Sequence, residues 1–584
     1  MAFERVSKLP LAYGDAVDVS HHISDVSKAR FPSPLKKLAK YLGQPNLLSL
    51  AGGLPSPEYF PFESLKADTL AFDSYATAPG SQKAAESASS NRSNSKNNLS
   101  WLWNLFAPNK PTVPIGVPKF PSSPTDINLA SALQYGVSRG LPQLDAFIKA
   151  FTAAVYRPAY ANWTTLAHTG NTDGLHKAVE TLCNPGEGIL MSEWTYPSAI
   201  FDAHPYGVNP VPVGMDSQGM SAVALREVLS GWDVQARGGM PRPHVMYIVP
   251  VGQNPTGATM LADRKKEIYE ICVEYDIIII EDDPYYFLQE GEYKLPSERA
   301  LTKAAGKGKA TSAPGAQGAS GGPLSGEDEA YLKSLVPTFL AFDYQGRVIR
   351  LDTFSKTIAP GSRLGWFTCN PVFAERLERL AETSSQAPCG FGQSIITQLL
   401  TTWGLSGYTR WVRGLGTEYT ERRNFFLDCV AERFNVVRAP KAHTARFAGS
   451  DVYFAYEKEA PTASASRWFS EKTGFADPRP TKAHLFSFVP PTSGMFVWVS
   501  LNFEGHPKLA DEGQQSLEMK LWVKLAEAGL LLSPGEIFSS VSLPDNPQEL
   551  PGHFRLSFSF NPYDEIKRAI DIFAAELKKF NAEE

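Results

Sequence analysis

Ile277 to Ile280 is an unbroken β-branched run with no polar face, and Glu281-Asp282-Asp283 follow it at once. A strand with one wet face alternates apolar and polar side chains, so a run without alternation belongs to a strand covered on both sides. Val245 to Val249 is a second apolar run, and Val348 to Leu351 a third, interrupted by Arg350. Between Val249 and Ile277, the residues Ile268, Ile271, Cys272 and Tyr275 recur at helical spacing. Strand–helix–strand order with mostly apolar strands predicts an α/β fold, a mostly parallel sheet covered by helices. Near the end of the chain Phe554, Leu556, Phe558 and Phe560 alternate with Arg555, Ser557 and Ser559. That predicts a strand with one apolar face and one face presenting Arg555. Ile566, Ile570, Phe573 and Leu577 then space out a closing amphipathic helix.

The chain has 584 residues, more than one compact core holds, so two or three domains are expected. Three stretches interrupt the pattern. Ala78 to Asn98 is mostly Ser, Asn, Ala and Lys, and Ala304 to Asp328 is rich in Gly, Ala and Ser. Neither buries enough apolar area to offset its ordering entropy, so both are expected as mobile surface loops. Trp101, Leu102, Trp103, Leu105 and Phe106 follow the first loop, either as a binding patch or packed on the core or on a second subunit. A third irregular region, about Pro440 to Pro491, is richer in aromatics and can be ordered.

Net charge is -5, which gives no general electrostatic reason to expect nucleic acid or an anionic membrane as partner. No apolar run approaches the roughly 18 residues of a membrane span. Glu4, Asp15, Asp18 and Asp25 argue against a secretory or transit peptide, so the cytoplasm is the default compartment. Five scattered cysteines without a C-x-x-C fit a reducing compartment and no zinc site. His21 and His22 have no thiol or dense carboxylate cluster beside them in sequence, so the pair reads as surface and no metal is expected, with a metal site there as the alternative reading.

In open parallel sheets ligands sit beyond the carboxyl ends of the strands, so chemistry should follow the apolar runs. After Val249 comes Pro250-Val251-Gly252-Gln253-Asn254-Pro255-Thr256-Gly257, which presents the Asn254 amide at a strand end; alone it serves equally as a turn. After Ile280 come Glu281-Asp282-Asp283-Pro284-Tyr285-Tyr286, and a carboxylate at the mouth of a buried strand is costly unless paired. After Leu351 come Asp352-Thr353-Phe354-Ser355-Lys356, then Arg363. A lysine at a strand end, with hydroxyls before it and an arginine after it, suits Schiff-base chemistry beside a phosphate. Thr169-Gly170-Asn171-Thr172-Asp173-Gly174 leads into helical spacing at Leu175, Val179 and Leu182, where backbone N–H groups cradle a phosphate or simply cap a helix.

These four segments, in this order, resemble the class I aminotransferases of the pyridoxal-phosphate fold-type I family. The resemblance runs from about Leu47 to the C-terminus, apart from the three irregular regions. It is closest to the aromatic amino acid and 2-aminoadipate/kynurenine aminotransferases, through Ser49-Leu50-Ala51-Gly52-Gly53-Leu54-Pro55, Gln134-Tyr135, Glu281 to Gln289, Thr353 to Lys356 and Gly494-Met495-Phe496-Val497-Trp498. It implies a large cofactor domain over 46–385 with insertions near 78–125 and 296–335. It also implies a smaller α+β domain over 386–584 with an insertion near 440–490, joined by an N-terminal arm, 1–45.

By the same resemblance Lys356 holds pyridoxal phosphate and moves the proton, Asp282 pairs with the pyridine nitrogen, and Tyr285 and Asn254 hydrogen-bond the ring oxygen. Tyr196 stacks on the ring. Arg363, Ser355, Thr353 and the Gly170-Asn171-Thr172 backbone bind the phosphate. Arg555 takes the substrate carboxylate as a bidentate pair, while Gly53, Leu54 and Tyr135 line the side-chain pocket. The expected reaction moves the amino group of an aromatic amino acid or kynurenine to 2-oxoglutarate, in a homodimer. The alternatives are a 2-aminoadipate aminotransferase and a non-catalytic, aminotransferase-like regulator. The second would need a basic winged-helix segment, and the roughly 50 residues before the Ala51-Gly52-Gly53 match show no helix-turn-helix pattern. Two departures stand out: Lys36 replaces an arginine of the kynurenine/2-aminoadipate relatives, and Asn171-Thr172 replace their Ser-Gln.

Overall fold

The computed structural model describes residues 14–33, 53–77, 112–299, 324–440, 450–458, 483–540 and 552–582. Lys36, Ser49 to Gly52, the Trp101–Phe106 cluster and the 78–98 loop lie outside them.

Strands β1 (Ser64–Leu70) and β2 (Thr112–Pro118) pair antiparallel, so part of the first expected insertion is a hairpin. The central sheet contains β3 (Thr164–His168), β4 (Gly188–Ser192) and β5 (Asn209–Val213). A small ladder, β6 (Met215–Asp216) with β7 (Gly219–Met220), comes next in the chain. Then β8 (Val245–Ile248), β9 (Ile278–Asp282), β10 (Val348–Thr353) and β11 (Gly365–Cys369) complete the sheet. Its order is β3-β11-β10-β9-β8-β4-β5. All pairs are parallel except the two that β11 makes.

Every residue of β4, β8, β9 and β10 is buried, as runs without alternation require. One apolar cluster, with Phe151, Ile248, Ile279 and Tyr408, fills one side of the sheet; another, with Val179, Leu182, Tyr247 and Ile280, fills the other. Helix Ala262–Glu274 crosses from β8 to β9. Arg350 stays inside β10, fully buried. It pairs with Glu281 at 3.2 Å, Asp283 at 3.0 Å and Asp352 at 2.9 Å, and its guanidinium lies 4.2 Å from the Tyr156 ring. Alternation along the strand therefore sends Glu281 and Asp283 to Arg350 and leaves Asp282 to the other side.

The second sheet is antiparallel, in the order β12-β13-β14-β15-β17-β16. Its strands are β12 (Asn435–Ala439), β13 (Val452–Tyr456), β14 (Phe486–Phe488), β15 (Phe496–Leu501), β16 (Ser533–Pro534) and β17 (His553–Ser557). Phe554, Leu556 and Phe558 are buried against helix Tyr563–Asn581, but Phe560 is 90% exposed because the strand ends at Ser557.

Three further expectations are corrected. The end of the second low-complexity stretch is a helix, Gly326–Ser334, opened by a reciprocal cap between Ser325 and Asp328. Residues 14–33 dock on the large sheet rather than on the smaller unit: Val17 N–H donates to Gln345 O, and Ser24 N–H to Thr181 O. His22 is 3% exposed and reaches Asp276, so this half of the histidine pair is not a surface feature, while His21 is 58% exposed as expected; the fold brings to the pair a carboxylate more than 250 residues away.

Candidate active site

The C-terminal ends of β8, β9 and β10 converge, and each delivers what the sequence places after it. Asp282 closes β9, fully buried, and its Oδ1 accepts from Asn171 Nδ2 at 2.6 Å and its Oδ2 from Tyr247 Oη at 2.8 Å. Among the described residues it makes no ion pair, whereas its neighbours Glu281 and Asp283 share Arg350. Burial pushes its carboxyl up; the Asn171 and Tyr247 hydrogen bonds, and the more distant Arg350, pull it back. A buried carboxylate with two neutral donors and no cation is a site that lacks a positive partner.

Lys356 sits on the turn after β10. Phe354, 1% exposed, anchors that turn against Trp366 and Tyr408, while Thr357 O accepts from Trp411 Nε1 at 2.7 Å. Burial, and secondarily Arg555, lower the Lys356 ammonium below its ordinary value. That favours the neutral amine a nucleophile or base needs. Thr353 Oγ1 and Ser355 Oγ lie 2.8 Å apart beside it.

Gly170 caps helix Asn171–Leu182 at φ 96°, ψ 158°, a conformation side chains rarely adopt. A Cβ there would lie 2.3 Å from Arg363 Nη2, so the loop and the guanidinium face each other at close range. Thr172 is exposed at the helix start. Unpaired N–H groups, an arginine and two hydroxyls gather here into an anion cradle.

Arg555, on β17 opposite Trp498, donates to Asn254 Oδ1 at 2.7 Å and to Ser533 Oγ at 3.1 Å. Phe496 and Phe538 flank its guanidinium at 4.4 and 4.8 Å. Tyr285 is buried edge-on against Phe496, and its hydroxyl is pushed up by burial and by Asp282. Tyr196 caps helix Pro197–Ala203 and is electrostatically coupled to Tyr247, Tyr285 and Arg555. Gly252 and Gly494 meet backbone to backbone, since a Cβ on Gly252 would lie 2.5 Å from Gly494 Cα; this contact joins the Asn254 loop to the second sheet.

Lys356, Asp282, Tyr285, Asn254, Tyr196, Arg555, Thr353, Ser355, Arg363 and the Gly170 loop thus share one region. Gly53, Leu54 and Tyr135 do not close over it: Leu54 is 52% and Tyr135 71% exposed. Three partners were missed from sequence. Tyr247 was counted only as part of an apolar run, although a tyrosine inside a doubly buried strand needs a partner for its hydroxyl. The Asn171 side chain and the Phe496–Phe538 clamp left no local signal.

The residues fit pyridoxal phosphate. Asp282 awaits a cationic N–H, the Gly170–Arg363 loop suits a phosphate, and Lys356 is a partly desolvated amine. Asn171 Oδ1 and Arg555 Nε are buried without partners among the described residues.

The profile of the aminotransferase class I and II family matches residues 128–444. An aromatic amino acid aminotransferase of Schizosaccharomyces pombe is 32% identical over 96% of this chain and 98% of its own length. An L-tyrosine:2-oxoglutarate aminotransferase of Serpula lacrymans is 30% identical over 90% of this chain and 84% of its own. The crystal structure of a Candida albicans aminotransferase superposes with a TM-score of 0.74 at 32% identity, covering 98% of this chain and all of that one. No described helix is long and apolar enough to cross a membrane.

Proposed function

The chain belongs to the class I and II aminotransferases, with the type I fold of pyridoxal-phosphate enzymes, and on that premise we propose that it moves the amino group of an aromatic L-amino acid to 2-oxoglutarate. The observation that carries the site assignment is the pairing of a cation-free buried Asp282 with the partly desolvated Lys356 at one sheet edge. The aromatic donor rests on the names of the relatives, and 2-oxoglutarate on that of the Serpula protein.

Pyridoxal phosphate supplies the electron sink that lets a Cα–H bond of the donor break heterolytically. Asp282 would hold a proton on the pyridine nitrogen, and the hydrogen bonds from Asn171 and Tyr247 favour its ionised form against the pull of burial. Lys356, whose amine form is favoured by burial and secondarily by Arg555, takes the Cα proton and returns it on the other side of the transfer. Arg555 binds the α-carboxylate, fixed in plane by Asn254 and Ser533 and in depth by two phenylalanines. Arg363, Ser355 and the N–H groups after Gly170 would bind the phosphate. Tyr285 and Asn254 would hydrogen-bond the ring oxygen, and Tyr196 would pack on the ring face.

A homodimer completes the reading: Leu54, Tyr59, Phe62 and Tyr135 are all more than 40% exposed, and a second copy would cover them and close the side-chain pocket. A cytoplasmic setting fits five unpaired cysteines.

The test is the absorption of the bound cofactor before and after L-phenylalanine without oxo acid. The expected result is conversion to the amino form, reversed by 2-oxoglutarate, and its loss in Lys356→Ala with the fold intact. Conversion by 2-aminoadipate but not by phenylalanine would replace the donor; turnover near wild type in Lys356→Ala would remove the assignment.

A further inference from the structure

The edge of the central sheet opposite the active site carries a second polar cluster that the reaction does not use. Glu187, His244, Asp276 and Arg347 stand just before β4, β8, β9 and β10, at their N-terminal ends. The 3-10 turn Ser20–His22 lays His21 and His22 upon them. Consecutive residues of such a turn normally diverge by about 120°. Here the two imidazoles lie 4.2 Å apart and converge on one carboxylate: His21 Nε2 is 2.8 Å from Asp276 Oδ2, and His22 Nε2 3.0 Å from Oδ1.

We propose that His21 Nε2, His22 Nε2 and the Asp276 carboxylate form a binding site for a divalent transition-metal ion of the zinc class, which clips the N-terminal segment to the sheet. The donor atoms all lie within 4.8 Å of one another. Ligands on a tetrahedral zinc, with bonds of about 2.0–2.1 Å, stand about 3.3 Å apart, so the most separated donors close by at most about 1.5 Å as the ion enters. Two imidazoles and one carboxylate favour zinc, cobalt or nickel over magnesium or calcium, which take oxygen.

The hydrogen-bond chain behind His22 is the second observation. His22 Nδ1 meets His244 Nδ1 at 2.9 Å, and His244 Nε2 meets Glu187 Oε2 at 3.2 Å. Counting the His22–Asp276 contact, the two rings face three contacts, and two neutral imidazoles carry only two protons between them. With Glu187 accepting from His244, and His244 from His22, the His22 Nε2 lone pair is left facing Asp276. A cation at that lone pair, a third proton or a metal ion, resolves that opposition, and such outer chains orient metal-binding histidines. Arg347 Nη1, 2.7 Å from Asp276 Oδ1, does not block the site, because Oδ2 is not engaged by it. With neutral rings Asp276, Glu187 and Arg347 sum to a net charge of -1, which a cation answers. His21 and Asp276 are 58% and 47% exposed, so the ion has an entry path and room for water as a further ligand.

The test uses the full-length, tag-free holoenzyme carrying Cys389→Ser, which removes the exposed thiol as a competing ligand. After chelation and desalting it is titrated with zinc chloride. Bound metal is read by elemental analysis after equilibrium dialysis, and stability by the unfolding midpoint. The expected result is one zinc per chain and a midpoint raised by several degrees, with no response to magnesium. Transamination should be unchanged, since the site lies a strand length away from Lys356. His21→Asn should lower zinc affinity at least tenfold and abolish the midpoint response, and Glu187→Gln should weaken affinity about 10–100-fold with all three donors retained. Absence of stoichiometric zinc at micromolar free metal, or equal binding by His21→Asn, would overturn the site.

Discussion

Replacing Tyr247 by phenylalanine isolates one hydrogen bond in the active site. Tyr247 is fully buried in β8, so the phenyl ring fits the same space and no cavity opens. What goes is the 2.8 Å donor to Asp282 Oδ2, leaving Asn171 on Oδ1 as the sole side-chain donor to that carboxylate among the described residues. A hydrogen bond to a charged acceptor contributes about 1.5–3 kcal/mol, and one pKa unit corresponds to about 1.4 kcal/mol. The Asp282 carboxyl, already raised by burial, should rise further. If the pyridine proton is held by that charge through the rate-determining step, kcat should fall about 10–100-fold, because about 1.4 kcal/mol is tenfold in rate. KM should change little, since Tyr247 hydrogen-bonds the carboxylate and Arg555 the substrate. The assay is single-turnover transfer from L-phenylalanine across pH 6–9. Tyr160→Phe is the control, because the Tyr160 hydroxyl is buried without a partner among the described residues and its loss should leave the rate alone. A Tyr247→Phe enzyme with wild-type kcat at every pH would refute the reasoning.

Gly170→Ala should weaken cofactor retention about 10–100-fold, since the backbone region it occupies costs other residues about 1–3 kcal/mol and its Cβ would strike Arg363; cofactor remaining after dialysis measures this. Arg555→Lys should raise KM for both the amino acid and the oxo acid about 10–100-fold while kcat moves less, because an ammonium cannot pair bidentately or lie flat between Phe496 and Phe538; steady-state kinetics with each substrate varied decide it. Glu518 is pushed from 4.5 up to about 7 by burial, against the backbone N–H groups of His553 and Gly535, so its folded value lies above the unfolded one. Its stabilising contribution is complete below the unfolded pKa and is lost as pH rises through about 7. Wild type should therefore lose roughly 3 kcal/mol relative to Glu518→Gln between pH 4 and 8, read from denaturant midpoints at both ends.

Sequence alone determined the parallel core and the ends where chemistry sits. Ile277 to Ile280 has no polar face, so β9 had to be covered on both sides, and Asp282, Lys356 and Asn254 stand where the apolar runs stop. Each of these is local information: a period, a run length, a turn residue. Tertiary structure decided the partners. Asn171 and Asp282 are 111 residues apart, Arg555 and Asn254 301, and His22 and Asp276 254. Contacts at such separations leave no period in the chain, because they are made by how strands align and not by how any one strand is spelled. The alternation along Glu281-Asp282-Asp283 was legible, but that two of these would turn to a buried Arg350 and the third to an asparagine and a tyrosine depended on which strands lay on either side. The same holds for the histidine pair, bland in sequence and given its carboxylate only when residues 14–33 docked against the N-terminal ends of the sheet.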